Sequence, residues 1–83
     1  MSSLNDYVYR CMKNGHYWTF WELQDVIKQN TGKFYGEPTI SASIRALRWE
    51  QNRTKYGLPT EGEVVERKRC QGRKGYQYRL VLS

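Results

Sequence analysis

Between Pro38 and Arg48 the chain reads Pro-Thr-Ile-Ser-Ala-Ser-Ile-Arg-Ala-Leu-Arg, and its side chains sort by chemistry when wound as a helix. At about 100° per residue, Ile40, Ile44 and Leu47 fall on one apolar stripe. The far face then carries Ser41, Ala42, Arg45, Trp49 and Asn52, with Arg48 and Ala46 at its edges and Thr39 in the first turn. Small residues allow close approach to a partner, while Arg, Ser and Asn offer hydrogen bonds that match the edges of bases in a major groove. A helix over residues 38–52 is therefore a candidate base-reading element. A surface helix with a solvated basic side would show the same pattern, so the rest of the chain has to decide.

A second group of candidates lies near the carboxy end. From Arg67 to Arg79 there are six cations, Arg67, Lys68, Arg69, Arg73, Lys74 and Arg79, and no acid. Charge of this kind suits contacts to a phosphate backbone, which position a protein without reading sequence. Residues 1–37 balance four cations against four acids, so the whole net charge of +6 falls in residues 38–83. One-sided charge is the footprint of a phosphate-binding surface, and it says more than a basic isoelectric point alone.

Several elements must position these groups. Ser3 can cap a first helix whose Leu4, Tyr7, Val8, Cys11 and Met12 share a face; Asn5, Asp6, Tyr9 and Arg10 on the other side read as solvent-facing, and Gly15 as a stop. Thr19 followed three residues later by Glu22 is a capping box, and Trp18 with Leu23 fits a hydrophobic staple. The second helix starts there. It buries Phe20, Leu23, Val26 and Ile27 and ends at Asn30-Thr31-Gly32. Trp21 lies off that stripe, with packing against the first helix or a loop as its expected fate, against a phosphate or partner contact. Pro38 suits the start of the third helix, since it lacks only an amide hydrogen that the first turn leaves unbonded.

After Gly57-Leu58-Pro59 and Gly62 the period changes. Residues 63–70 and 76–82 read as two strands joined by Gln71-Gly72-Arg73-Lys74-Gly75, with Tyr76, Tyr78, Leu80 and Leu82 forming the buried face of the second. Leu58 is an expected anchor, and the stretch His16-Tyr17-Trp18 an expected short strand. The order helix, short strand, helix, helix, hairpin is that of a winged helix-turn-helix: one α+β domain over residues 1–83, with three helices and a carboxy-terminal hairpin as the wing.

Chemistry of other kinds finds little support. His16 is the only histidine, so neither a zinc site nor a histidine triad can be built from it. No phosphate-cradling Gly-rich loop is present, and Cys11 and Cys70 are too few for a disulfide scaffold and lack metal-ligand spacing. The expectation is a non-enzyme with no cofactor and no metal. No run is apolar enough for a bilayer and the first residues do not read as a signal peptide, which predicts a cytoplasmic protein without membrane partners.

Ile-Ser-Ala-Ser-Ile-Arg-Ala-Leu-Arg at 40–48, Gly-Leu-Pro at 57–59, the Glu-rich strand start and Gly-Tyr-Gln-Tyr-Arg-Leu at 75–80 resemble the small helix-turn-helix domains of bacteriophages and prophages. The resemblance covers about Thr19 to Leu82. It implies a winged helix and binding to double-stranded DNA, as a transcription regulator or accessory factor. Ser43 stands where a basic residue is common in that family, and residues 49–56 lengthen the connection from helix to wing. On this reading the DNA-facing residues are Thr39, Ser41, Ala42, Arg45, Arg48, Trp49, Asn52, Arg67, Arg69, Arg73 and Lys74. The alternative is an interaction module that binds a host or phage protein, since winged helices serve both uses. Trp49 separates the two. Its expected place is beneath the wing, against contact with sugar-phosphate or the anchoring of a protein partner.

Overall fold

The computed structural model of the chain describes residues 3–81. Among these the elements run α1 (Leu4–Met12), α2 (Phe20–Thr31), α3 (Glu37–Ala46), α4 (Glu50–Tyr56), β1 (Val65–Arg69) and β2 (Tyr76–Leu80). The architecture is α+β, with four helices where three were expected. None of them is long and apolar enough to cross a membrane.

The first two helices start where their side chains can satisfy free amide hydrogens. Ser3 accepts from the Asp6 backbone N–H and Asp6 accepts from that of Ser3, while Thr19 and Glu22 make the same reciprocal pair at α2. Each box closes two of the donors that a helix start leaves open. At the other end of α2, Gly32 takes φ 75° and donates to the Lys28 carbonyl. A residue with a Cβ would be strained there.

One core joins the elements, with α4 reaching it only through half-buried Tyr56. Val8 and Met12 of α1, Leu23 and Ile27 of α2, and Ile40 and Ile44 of α3 meet Leu47, Leu58, Val64, Val65 and Leu80. Leu58 is the anchor its position suggested, its backbone N–H donating to the Arg53 carbonyl at 2.8 Å. Trp18 packs on this core, as its place in the staple requires.

The expected continuous helix over residues 38–52 is broken after Ala46. Residues 47–49 form a turn in which the Arg48 N–H donates to Arg45 O and the Trp49 N–H to Ala46 O. Trp49 then takes extended angles, φ −66° and ψ 141°, and caps α4. Neither Gly nor Pro marks the break. Two later side chains make it tolerable: Asn52 Nδ2 donates to the Ala46 carbonyl at 2.7 Å and Arg53 Nε to the Arg48 carbonyl at 2.8 Å. With those carbonyls satisfied, the chain can turn so that Leu47 is fully buried, a gain of about 1.5–3 kcal/mol.

α4 has no buried residue of its own. It is held by the face of α1 that the sequence suggested was solvent-facing. Tyr56 stacks on Tyr9 with ring centroids 4.4 Å apart, its hydroxyl donates to Asp6, and Lys55 Nζ lies 3.2 Å from the same carboxylate. Ser43 is buried on α3 and its hydroxyl bonds Asn5 of α1. Both contacts consume polar groups that periodicity alone would leave wet.

The hairpin pairs Val65 with Leu80, Arg67 with Tyr78 and Arg69 with Tyr76. β1 is shorter than the expected 63–70, although the Val81 N–H still donates to the Val64 carbonyl at 2.8 Å beyond its start. Residues 71–75 make the connecting turn, closed by the Cys70 N–H on the Gly75 carbonyl at 3.1 Å. The expected short strand is a single bridge, in which Trp18 and Tyr78 exchange backbone hydrogen bonds of 2.6 and 2.7 Å. Phe20 stacks on Tyr78 at 4.8 Å, locking the start of α2 to β2. Burial fades along β2: Leu80 is buried, Tyr78 half-buried, and Tyr76, expected inside, is exposed. The end of the hairpin is thus exposed, with Arg73 reaching towards Trp21 of α2, and Leu82 lies outside the described residues.

Candidate nucleic-acid interface

On α3 the exposed side chains recur every third residue, as Thr39, Ala42 and Arg45, with Arg48 continuing the line past the helix end. Ser41 is half-buried beside them, and Ala46, expected at the edge of this face, is buried. The small side chains come first and the guanidinium groups after them, so the amino-terminal half of α3 can approach a partner most closely. Glu37, in the first turn, is exposed as well.

α3 and β1 enclose a cleft of about 720 Å³ whose lining includes Ser41, Arg45 and Arg48 on one side and Val65, Arg67 and Tyr78 on the other. Strand alternation explains the company of Arg67. It lies two residues from buried Val65 and is cross-paired to Tyr78, so all three share the face turned to the core. Its guanidinium sits 4.6 Å from the centre of the Tyr76 ring. Glu63 and Glu66 also line the cleft. Glu66 is bound to Arg79 at 2.9 Å, and Glu63 approaches Arg48 at 3.9 Å. Arg48 and Glu63 are both largely exposed, so their attraction is worth no more than about 1 kcal/mol and yields readily to a better anion. Arg45 and Arg67 have no ion-pair partner among the described residues.

Arg69, Arg73 and Lys74 are exposed around the end of the hairpin. They too lack a carboxylate partner among the described residues. Arg79, by contrast, is spent internally. It shares Glu66 with the Tyr17 hydroxyl and stacks on the Tyr17 ring at 4.9 Å, with Lys68 over the same ring at 4.2 Å. Of the six cations in this run, five remain free of carboxylates among the described residues.

Two site residues are displaced from the face assigned to them by the break after Ala46. Asn52 belongs to α4, is half-buried, and gives its amide to the end of α3. Trp49 caps α4 and is 57% exposed, so the expectation that it packs beneath the wing is overturned. Trp21 is 44% exposed, and the Arg73 guanidinium of the hairpin turn lies 5.9 Å from its ring.

The cluster of Asp6, Lys55 and Tyr56 has the molecule's clearest titration signature. The hydrogen bond from Tyr56, followed by that from the Ser3 amide, holds the Asp6 carboxyl at about 2. Asp6 raises the Lys55 ammonium in return, and burial followed by the bond to Asp6 raises the Tyr56 hydroxyl. These are structural contacts between α1 and α4. No family model, curated protein or solved structure matches this chain.

Proposed function

We propose that this chain is a winged helix protein that binds double-stranded DNA, with α3 in the major groove and the hairpin as a wing on the flanking phosphates. The observation that carries this reading is the shared cleft of Arg45, Arg48 and Arg67, where cations from a helix and a strand converge beside small side chains. The sizes agree. An α-helix with side chains is about 10–12 Å across and the major groove is about 12 Å wide. The bridge of Trp18 to Tyr78 supports the winged helix assignment, because it ties the start of α2 to the hairpin and so fixes the wing beside α3. α4 is an addition to the expected pattern and fills the lengthened connection between α3 and the wing.

Arg45 is assigned to base edges and Arg67, Arg69, Arg73 and Lys74 to phosphate, which makes the protein a sequence-reading regulator or accessory factor. The test is a selection of bound sites from random duplexes, followed by comparison of Arg45→Ala on the selected and random DNA. The variant should lose about 1–3 kcal/mol of preference for the selected site. Equal losses on both would demote Arg45 to a phosphate contact, and failure to enrich any site would remove base reading altogether. A second reading, docking to a host or phage protein, is favoured by one observation, the exposure of Trp49 at the end of α3. A protein partner captured by the parent and lost with Trp49→Ala, while duplex binding stays intact, would support it.

A further inference from the structure

We propose that the cleft between Trp21 and the hairpin also takes unpaired nucleotides, stacking a base on the Trp21 indole and holding the adjoining phosphates on Lys68, Arg69 and Arg73, the last two shared with the proposed duplex surface. The cleft measures about 460 Å³, and Gln71 and Gln77 bring amide groups to it beside these four residues. Stacking on aromatic rings next to cations is how proteins hold single strands, because every base has a flat face and every linkage a charge. Paired bases inside a duplex keep their faces covered, so the site selects strands or ends that are open.

The geometry of Trp21 and Arg73 fits this use. Their separation of 5.9 Å is just short of the room for a base between them, since two stacking contacts of about 3.5 Å need about 7 Å. Arg73 is exposed in the hairpin turn, so a movement of about 1 Å of its side chain would open the slot. The three cations have no carboxylate partner among the described residues. Glu22, the acid in the same cleft, is occupied by the backbone and hydroxyl of Thr19, both at 2.9 Å. A second aromatic surface follows on the other side of Trp21, where Phe34 is 66% exposed and shares a smaller cleft with Trp21 and Lys28. An open strand could therefore run from the hairpin turn across Trp21 to Phe34.

The proposal does not depend on duplex binding and is tested apart from it. A fluorescent oligothymidylate of roughly 8 nucleotides, long enough to cover one such site, is titrated with the full chain at low salt. Saturable binding should weaken at least about fivefold with Trp21→Ala and be largely kept by Trp21→Phe, which preserves a stacking face. Lys13→Ala, which removes an exposed cation elsewhere, should leave it unchanged. A parallel titration with oligouridylate identifies the strand, DNA or RNA according to which binds more tightly. The proposal is overturned if the parent binds neither strand, or if Trp21→Ala, with its fold verified by thermal melting, binds as tightly as the parent. Loss of duplex binding with retained, Trp21-dependent strand binding would defeat the duplex reading and leave this site standing.

Discussion

Asp6 and Arg45 are both charged residues on helices, yet their surroundings differ. Asp6 accepts from Tyr56 and from the Ser3 amide and lies 3.2 Å from Lys55, so the charge on the α1 side of the molecule is answered from within. Arg45 faces a cleft shared with Arg48 and Arg67 and has no ion-pair partner among the described residues. The contrast separates two jobs. Charge at the contact of α1 with α4 fastens a helix that buries none of its own residues, whereas between α3 and the hairpin Arg45 and Arg67 have no ion-pair partner among the described residues, as the proposed anion-binding role requires. Substitutions on the first side should thus cost stability, and those on the second should cost binding.

Ser43→Arg attacks the contrast most strongly, because it places a cation within the contact between α3 and α1. Ser43 is 4% exposed and bonded to Asn5, so the guanidinium would enter the packed contact with α1 and never reach a ligand. The expected result is a loss of about 3 kcal/mol or more, read from chemical denaturation, with no gain in DNA affinity. A stable variant that binds DNA more tightly would place Ser43 on the ligand face and undo the division.

A smaller effect is expected at Asp6. Its folded-state value of about 2 lies below that of an ordinary aspartate, so the unfolded chain binds the proton first as the pH falls. Its contribution is complete above about pH 4 and fades towards pH 2. Asp6→Asn should therefore melt several degrees lower than the parent at pH 6, and the gap should close across that window. A gap that persists at pH 2 would mean the substitution disturbs packing and not charge.

Trp49→Ala should do least to stability, within about 0.5 kcal/mol, since its side chain is more than half exposed. A larger drop in melting temperature would return Trp49 to the packed role that the sequence suggested.

Much of this arrangement was legible before the structure. The caps at Ser3 and Thr19, the stop at Gly32 and the turn at residues 71–75 rest on local rules, and each stands where its residues placed it. The apolar stripe of Ile40, Ile44 and Leu47 was equally plain, because burial follows period. The end of α3 was not. Its signal lies in Asn52 and Arg53, whose side chains satisfy carbonyls five and six residues back, and no short-range rule reads such a bond. Nor could periodicity reveal that Asp6 and Tyr9 lie under Tyr56, fifty residues on from Asp6. A face that looks wet on a helical wheel becomes dry when a distant element lands on it. The cationic residues of the candidate interface were found for a simpler reason: charge with no internal partner is visible as an unbalanced sum.

The most direct test of the duplex reading is the dependence of its binding on salt, measured for the parent and for a variant with both Arg73→Ala and Lys74→Ala. Each neutralised phosphate contributes about 0.9 to the slope of log affinity against log salt, so loss of two contacts should lower the slope by about 1.8. The account predicts a steep, linear fall for the parent, that shallower line for the variant, and equal melting temperatures for the two proteins. A flat line for the parent, or lines that coincide, would contradict the claim that the exposed cations beside α3 and around the hairpin meet a phosphate backbone.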